Sequence, residues 1–181
     1  VELRDELELF YQPIVSGETN EVVLCEALLR WRDSNGQYIM PDVFIPIAEE
    51  TGLIHPLGEW VIKKACEDLA YIRQHVYPNM KFAINISPNQ LQSEEFFPFV
   101  QGQLLEHGIL PEMIELEITE SVIINDLGET ASNLKALCQA GFNLSIDDFG
   151  TGYSSLAYLQ KYPFSTLKID RSFINKIENN S

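Results

Sequence analysis

The sequence has no long apolar run and is poor in basic residues. A bilayer-crossing helix needs about 20 consecutive apolar residues, and polar or charged residues interrupt every apolar stretch of this 181-residue chain. Lys and Arg together number 12 against 27 Asp and Glu, so the formal net charge is −15. Because such a surface repels phosphate backbones and anionic lipid headgroups, we expect no nucleic acid polymer as a partner and no membrane contact by this segment.

Cysteine and histidine are scarce and scattered. Cys25, Cys66 and Cys138 form no CxxC pair, and none of the three histidines lies at a zinc-type spacing. An odd, scattered cysteine count is typical of reduced thiols in the cytoplasm, and the charged opening segment 1–8 does not resemble a signal peptide. We therefore expect a cytoplasmic location, as a separate protein or as the cytoplasmic part of a larger, membrane-anchored one.

What the sequence does contain is an alternation of strand and helix patterns. A short polar turn joins the first two strands, which makes them antiparallel neighbours. Strands and helices then alternate, which predicts an α/β fold with mainly parallel strands and helices outside. The predicted strands are Leu7–Val15, Glu21–Trp31, Lys81–Ser87, Met113–Thr119, Asn143–Asp148 and Thr166–Asp170. The predicted helices are Pro41–Thr51, Pro56–His75, Ser93–His107, Asp126–Ala140, Ser154–Gln160 and Ser172–Glu178.

Most of these predicted strands carry polar groups near their carboxyl ends, although strands buried on both faces should be almost wholly apolar. Within single strands, the polar residues that share a face are Glu26 with Arg30, Glu115 with Glu117 and Thr119, Ser145 with Asp147, and Lys168 with Asp170, while Asn85 lies mid-run among apolar neighbours. Burying one unpaired carboxylate costs several kcal/mol. Structural ion pairs are an alternative explanation. They would need more basic partners than the predicted strands offer near their carboxyl ends, since Arg30 and Lys168 alone are basic there on the matching strand faces.

The segment Ser145–Leu156 places two adjacent acids, Asp147 and Asp148, before a glycine-containing loop. Adjacent acids repel each other unless a cation lies near them, and barrel enzymes build sites at such strand ends. The alternative is that Asp148 caps a helix. Carboxylate and amide oxygens suit Mg²⁺ or Mn²⁺, and two adjacent acids could serve two ions. The residues thus predict a metal-dependent enzyme on a partial α/β barrel that acts on phosphate.

Seven motifs, in order along nearly the whole chain, resemble those of the EAL-domain family of cyclic di-GMP phosphodiesterases. Glu26-Ala27-Leu28 is the motif that gives the family its name. The matching segments are Tyr11–Val15, Cys25–Trp31, Phe44–Glu49, Ile84–Ser87, Leu116–Ser121, Asp147–Leu156 and Lys168–Asp170. The resemblance implies a modified TIM (β/α)8-type barrel with an antiparallel first strand. It also implies hydrolysis of cyclic di-GMP to linear pGpG, which controls second-messenger level in bacterial signalling.

The resemblance implies a role for each matching residue. The ligands implied for a two-metal Mg²⁺ or Mn²⁺ site are Glu26, Asn85, Glu117 and Asp147 for the first ion, with Asp148 and Asp170 at the second. Lys168 resembles the lysine beside the attacking water, and Arg30 and Gln12 resemble groups that touch the dinucleotide. Glu120 matches an acid that braces the loop after Asp148. That loop, 149–152, resembles a segment that couples dimerisation to metal binding.

The family's pattern continues past Ser181, with two further strands that carry a glutamate and a Gln-Gly pair. The resemblance therefore implies a single partial domain over 1–181, with about six of the eight strands and without the last two strands and helices. It also implies a homodimer, and fusion or coupling to a sensor, receiver or GGDEF module. The alternatives that stay open are a non-catalytic cyclic di-GMP-binding regulatory module, an inactive fragment that lacks the final site residues, and an enolase-type lyase with Lys168 as its base.

Overall fold

The computed structural model describes residues 6–120, 122, 128–150 and 162–172. The described strands are β1 (Leu7–Val15), β2 (Val22–Arg32), β3 (Tyr38–Ile39), β4 (Phe82–Asn85), β5 (Ile114–Thr119), β6 (Asn143–Phe149) and β7 (Thr166–Ile169). The described α-helices are α1 (Pro41–Thr51), α2 (Ile54–His75), α3 (Phe96–His107) and α4 (Glu129–Ala140). None of the helices within these ranges combines the length and apolar character that crossing a bilayer requires.

These strands form one sheet in the order β1-β2-β4-β5-β6-β7, and β3 pairs with β2. Strands β1 and β2 are antiparallel, with Gln12 opposite Glu26. Each later pair along the order is parallel, from β2 with β4 to β6 with β7. The predicted α/β architecture, an antiparallel first strand followed by parallel strands with intervening helices, is confirmed.

The element boundaries differ from the prediction at a few places. Helix α3 begins at Phe96 rather than Ser93, because the 3₁₀ turn Gln90–Gln92 precedes it and Ser93 is extended, with ψ 129°. The Ser93 hydroxyl accepts a hydrogen bond from the Glu95 amide at 3.3 Å, but the helix is capped at Glu95, so the predicted cap at Ser93 is wrong. Strand β3 was not predicted, since two residues carry no periodic pattern.

Parts of three predicted helices cannot be compared with the structure. The predicted helix 154–160 and the predicted span 173–178 lie outside the described residues, as does the predicted helix start at 126–127. The end of that last helix is described: α4 stops at Ala140, and Gly141 follows it in the left-handed conformation, with φ 90°. This glycine stop agrees with the prediction, because glycine adopts left-handed backbone without a steric penalty.

The two faces of the sheet differ sharply in polarity, because alternate strand residues point to opposite faces. One face packs against the helices in a single buried core. Its strand members include Phe82, Ile84, Leu116, Ile118, Leu144 and Ile146, and its helix members include Ile62, Leu69, Leu104 and Leu134. The intervening residues Glu117, Ser145 and Asp147 therefore lie on the other face. The apolar core thus holds the strands in register while the opposite face presents polar side chains.

Tyr11 fastens β1 to this core. Its ring stacks on Phe82, with ring centroids 4.4 Å apart, and its hydroxyl donates a hydrogen bond to Asp68 of α2 at 2.8 Å. Lys64 lies one helical turn away and pairs with the same carboxylate at 2.7 Å. Burial, reinforced by the Asp68 carboxylate, raises the pKa of Tyr11. This contact fixes β1 against α2, and with it the position of Gln12 opposite Glu26.

Candidate active site

Three carboxylates from three strands converge on one ammonium group. Lys168 Nζ of β7 lies 2.7 Å from Glu117 Oε2 of β5 and 3.0 Å from Glu26 Oε2 of β2. Asp147 Oδ1 of β6 is 3.5 Å from the same nitrogen. The parallel register makes this possible, since residues near the carboxyl ends of neighbouring strands meet on one face of the sheet. The structure therefore brings these four predicted residues together.

Asn85 joins this group from β4. It is opposite Glu117 in the β4–β5 register, and its Nδ2 donates a hydrogen bond to Glu26 Oε1 at 2.8 Å. Since Glu26 Oε2 accepts from Lys168, both oxygens of Glu26 have a partner. The five residues Glu26, Asn85, Glu117, Asp147 and Lys168 thus form one connected polar cluster, which we call the acid cluster.

Glu117 is the most constrained carboxylate of the acid cluster. The residue is 1% exposed, and its Oε1 has no hydrogen-bond partner among the described residues. The pKa of Glu117 is raised to about 7: burial is the largest cause, the hydrogen bond and charge of Lys168 oppose it, and the charges of Glu26 and Asp147 add to it. Burial alone would lower the pKa of Lys168, but its hydrogen bonds to Glu117 and Glu26 outweigh burial and raise it. The lysine is therefore held as a cation.

The adjacent acids Asp147 and Asp148 lie in a β-bulge. Ile146 pairs with Leu167 and Phe149 pairs with Ile169, so β6 carries one residue more than β7 between these pairs. Asp148 takes up the distortion with a left-handed φ of 53°. Because it lies inside β6 and is not extended, Asp148 is not the cap of a helix that starts at the next residue.

The surroundings of Asp148 raise the pKa of its carboxyl. Burial raises the pKa of its carboxyl, and the neighbouring charges of Asp147 and Asp170 raise it further, while Lys168 lowers it. Asp170 follows β7 directly, and its backbone amide donates to Phe149 O at 3.4 Å. Its Oδ1 accepts a hydrogen bond from the Ser172 amide at 2.9 Å. Asp148 and Asp170 thus interact electrostatically at the edge of the acid cluster.

Glu120 contacts the start of the loop that follows the bulge. It is a buried residue, 6% exposed, directly after β5. Its Oε2 accepts a hydrogen bond from the Gly150 amide at 3.1 Å, across 30 residues of sequence. The described part of the loop is therefore tied to β5 through this carboxylate. The predicted bracing role of Glu120 remains a prediction, and residues 151 and 152 of the loop lie outside the described ranges.

Gln12 and Arg30 are not drawn into the acid cluster. Gln12 is exposed on β1, although it is opposite Glu26 in the strand register. Arg30 lies four residues beyond Glu26 toward the carboxyl end of β2, about 13 Å away along the strand. Its guanidinium lies over the Phe10 ring at 5.6 Å, and its Nη1 donates to Leu29 O at 2.9 Å. Gln12 thus lies level with Glu26, while Arg30 lies farther toward the carboxyl end of β2.

Sequence reasoning missed a contact that adjoins the cluster. The Ser87 hydroxyl, two residues after Asn85, donates a hydrogen bond to Glu49 Oε1 of α1 at 2.5 Å. Both residues stand in motifs quoted for the family resemblance, but nothing in either motif indicates that they touch. The alternation placed Ser145 on the same face as Asp147 but gave it no role; its hydroxyl is fully buried opposite Glu117 and has no hydrogen-bond partner among the described residues.

The donor set of the acid cluster suits a hard divalent cation. Its groups are carboxylates and one amide, without cysteine or histidine. When all three carboxylates are ionised, one ammonium leaves two negative charges uncompensated, and the buried Glu117 Oε1 has no partner among the described residues. At the same time, no three acidic, histidine or cysteine groups within the described ranges are already arranged as a metal-holding set. In this arrangement the Lys168 ammonium provides the positive charge among the carboxylates.

Comparison with known proteins points to the same family that the sequence motifs resemble. The family model described as the EAL domain matches residues 2–181. The cyclic di-GMP phosphodiesterase NbdA of Pseudomonas aeruginosa is 41% identical over 173 residues, which cover 96% of this chain and 22% of that protein. The chain spans between 20% and 29% of the length of the curated relatives that it matches.

Two solved structures resemble the whole described fold. The PaMucR phosphodiesterase in complex with c-di-GMP matches with a TM-score of 0.90 and 40% identity, over 97% of this chain and 71% of that one. The FimX EAL domain of Pseudomonas aeruginosa bound to c-di-GMP matches with a TM-score of 0.83 and 26% identity, over 97% and 72% of the two chains. With its motifs, its sheet order and these matches, the chain belongs to the EAL domain family.

Proposed function

We propose that this chain carries the catalytic residues of a metal-dependent phosphodiesterase that hydrolyses cyclic di-GMP to linear pGpG. The observation that carries the proposal is the acid cluster, in which Glu26, Glu117 and Asp147 share the single ammonium of Lys168. Such a concentration of buried and half-buried acids is costly unless a cation offsets it. The similarity to NbdA and to the PaMucR complex supports cyclic di-GMP as the substrate.

The cation that we propose is Mg²⁺ or Mn²⁺. Glu26, Asn85, Glu117 and Asp147 would hold a first ion, and Asp148, with Asp170 near it, would help to hold a second. When bound, such ions neutralise phosphate charge and make a water molecule more acidic. This matters for a protein of net charge −15, because a phosphodiester would otherwise be repelled from the site.

The side chains of the protein have their own tasks in this proposal. The Lys168 ammonium stays charged because its hydrogen bonds to Glu117 and Glu26 raise its pKa, so it can stabilise charge that develops on the phosphate. Arg30, toward the carboxyl end of β2, and Gln12, opposite Glu26, would contact the dinucleotide. Glu120 would hold the loop after the bulge through the Gly150 amide.

The setting of this reaction is proposed as well. We infer a cytoplasmic location, because Cys25, Cys66 and Cys138 are free thiols and the first two are buried. A homodimer, and coupling to a sensor, receiver or GGDEF module, remain expectations from the family resemblance. They agree with the fact that the curated relatives are several times longer than this chain.

Binding of cyclic di-GMP without hydrolysis is the second candidate. It is favoured by one observation: within the described ranges no three acids form a ready metal-holding set, and Lys168 already neutralises part of their charge. The FimX EAL domain, also similar to this chain, was solved with c-di-GMP bound. In this case the site would bind the nucleotide in the absence of Mg²⁺ or Mn²⁺ and release no product.

The two candidates differ in product formation. The 181-residue chain, and any longer protein that contains it, would be incubated with cyclic di-GMP and Mn²⁺, and pGpG would be measured by chromatography. We expect product that disappears on chelation of the metal and in the Glu26→Ala variant, while exposed Glu18→Ala serves as the matched control. Tight binding without product in both proteins would support the binding module and overturn the catalytic proposal.

A further inference from the structure

The segment that follows β4 is held from two sides. On the sheet side, the Ile86 amide donates to Glu117 O at 2.9 Å, and the Ser87 amide donates to the side-chain oxygen of buried Gln90 at 3.0 Å. On the helix side, the Ser87 hydroxyl donates to Glu49 Oε1. This segment begins one residue after Asn85, the β4 member of the acid cluster.

Glu49 contributes two acceptors to this attachment. Its carboxylate accepts from Ser87, and its backbone carbonyl accepts from Asn89 Nδ2 at 3.4 Å. The Ser87 hydroxyl in turn accepts from the Asn89 amide at 3.2 Å, which closes a ring of hydrogen bonds. A charged acceptor makes a stronger hydrogen bond than a neutral one. The last turn of α1 is thus joined to the carboxyl end of β4 over 38 residues of sequence.

This attachment bears on Asn85 because Asn85 is the exposed end of a four-residue strand. Its own backbone sits at the point where the sheet ends, and its amide must reach Glu26 Oε1 at 2.8 Å. Groups that hold a ligand residue in place are often as necessary as the ligand itself. On this basis we propose that Glu49 is a positioning residue, which holds the 86–89 segment through Ser87 and thereby orients the Asn85 amide within the acid cluster.

The proposal rests on the proposed function for its consequence, a cation site that includes Asn85, but its geometric part can be tested without metal. In the metal-free 181-residue chain, the side-chain NH₂ resonances of Asn85 report its hydrogen bond to Glu26. We expect Glu49→Ala to increase the exchange of these protons with water about tenfold, in line with the effect of removing supporting contacts. The Asn133 NH₂, bonded to the Leu91 and Ser93 carbonyls, provides an internal reference.

Four further variants separate positioning from a general loss of structure. Glu50→Ala removes the same charge from the next, exposed residue of α1 and should leave Asn85 exchange unchanged. Glu49→Gln keeps an acceptor for Ser87 and should restore slow exchange. Ser87→Ala should reproduce the effect of Glu49→Ala, and the double variant should add little to either change. Equal exchange of Asn85 in Glu49→Ala and Glu50→Ala would overturn the proposal.

The metal consequence is measured separately by calorimetric titration with Mn²⁺. Where the wild-type chain binds Mn²⁺, Glu49→Ala should weaken binding about tenfold, and Glu49→Gln should recover most of it. If the wild-type chain binds no Mn²⁺ and makes no product, the proposed function fails, while the NMR comparison still decides whether Glu49 orients Asn85. If it binds Mn²⁺ and Glu49→Ala binds equally well, the inference fails and the proposed function stands.

Discussion

Glu117 carries a carboxylate in almost complete burial, and this gives the site a measurable dependence on pH. Its pKa rises from 4.5 to about 7 because burial penalises the charged form. Between these values the native chain binds a proton that the unfolded chain has lost. The stability that this proton contributes is present below about pH 4.5 and is lost as the pH rises through about 7.

We therefore expect Glu117→Gln to affect stability differently on the two sides of that range. Near pH 5 the native wild-type carboxyl is largely protonated, so the variant should unfold at nearly the same temperature. Near pH 8 the wild type carries a buried anion, and metal-free Glu117→Gln should be more stable, by an amount on the order of a few kcal/mol. Thermal unfolding at both pH values measures this difference, with exposed Glu94→Gln as the control. A stability difference that does not change with pH would contradict the assignment.

Single residues also show where sequence reasoning ends. The alternation of strand residues predicts which polar residues share a face within each strand, such as Ser145 with Asp147, but the register that brings Glu26, Glu117 and Lys168 of different strands onto one face does not follow from it. It does not predict that three carboxylates share one ammonium, since that depends on side-chain reach. The left-handed conformation of Asp148 was not predicted either, because an aspartate in a strand pattern normally indicates extended backbone.

Among the elements, α2 meets the segment after β4 at a glycine. A Cβ at Gly58 would overlap the side-chain amide of Gln90, whose oxygen accepts from the Ser87 amide. Gly102 of α3 offers a matched comparison, because a Cβ there meets no atom within 4 Å. Gly58 of α2 therefore packs closely against Gln90, whereas Gly102 of α3 has free space beside its Cα.

We expect Gly102→Ala to stabilise the protein by about 0.5–1 kcal/mol, the usual gain from replacing a glycine within a helix. Gly58→Ala should instead destabilise it by about 1 kcal/mol, because Gln90 must move and loses its bond to Ser87. Urea unfolding of the two variants measures both changes. In a Gln90→Ala background the cost of Gly58→Ala should disappear, and a cost that persists there would show that Gln90 is not its cause.

The helix ends that lie just before a glycine were predicted correctly. The end of α1 before Gly52 and the end of α3 before Gly108 agree with the structure, since both glycines adopt the left-handed conformation. The start of α3 was missed because Ser93 resembles a helix cap in sequence but closes the preceding 3₁₀ turn. Serine hydroxyls bond to nearby backbone in both settings, so the sequence does not distinguish them.

For the whole molecule, the net charge of −15 predicts a response to salt. Raising NaCl from about 10 mM to about 150 mM shortens the screening length from about 30 Å to about 8 Å. Repulsion among the acids should weaken, and the unfolding temperature should rise by about 2–4 °C. An unchanged or lower unfolding temperature would mean that local ion pairs, such as Arg32 with Glu8, outweigh the overall repulsion.

Divalent salt extends this test. At equal ionic strength, MgCl₂ should stabilise the protein more than NaCl if the acid cluster binds the ion, because a ligand that binds the native state raises its stability. The surplus should vanish in Glu117→Gln, while the response to NaCl should persist. An equal surplus in the variant would assign the effect to the acidic surface rather than to the cluster.

The bulge at Asp148 has a consequence for how this sequence can diverge. A left-handed backbone at φ 53° is tolerated by Asn and Gly and is costly for β-branched residues. A descendant that lost this acid would therefore retain its backbone most readily with Asn or Gly, and one that acquired Val or Thr would have to remodel the strand end. In a relative, Asn or Gly at position 148 would indicate that the charge was lost and the bulge kept, whereas Val or Thr would indicate that the backbone of the strand end has changed.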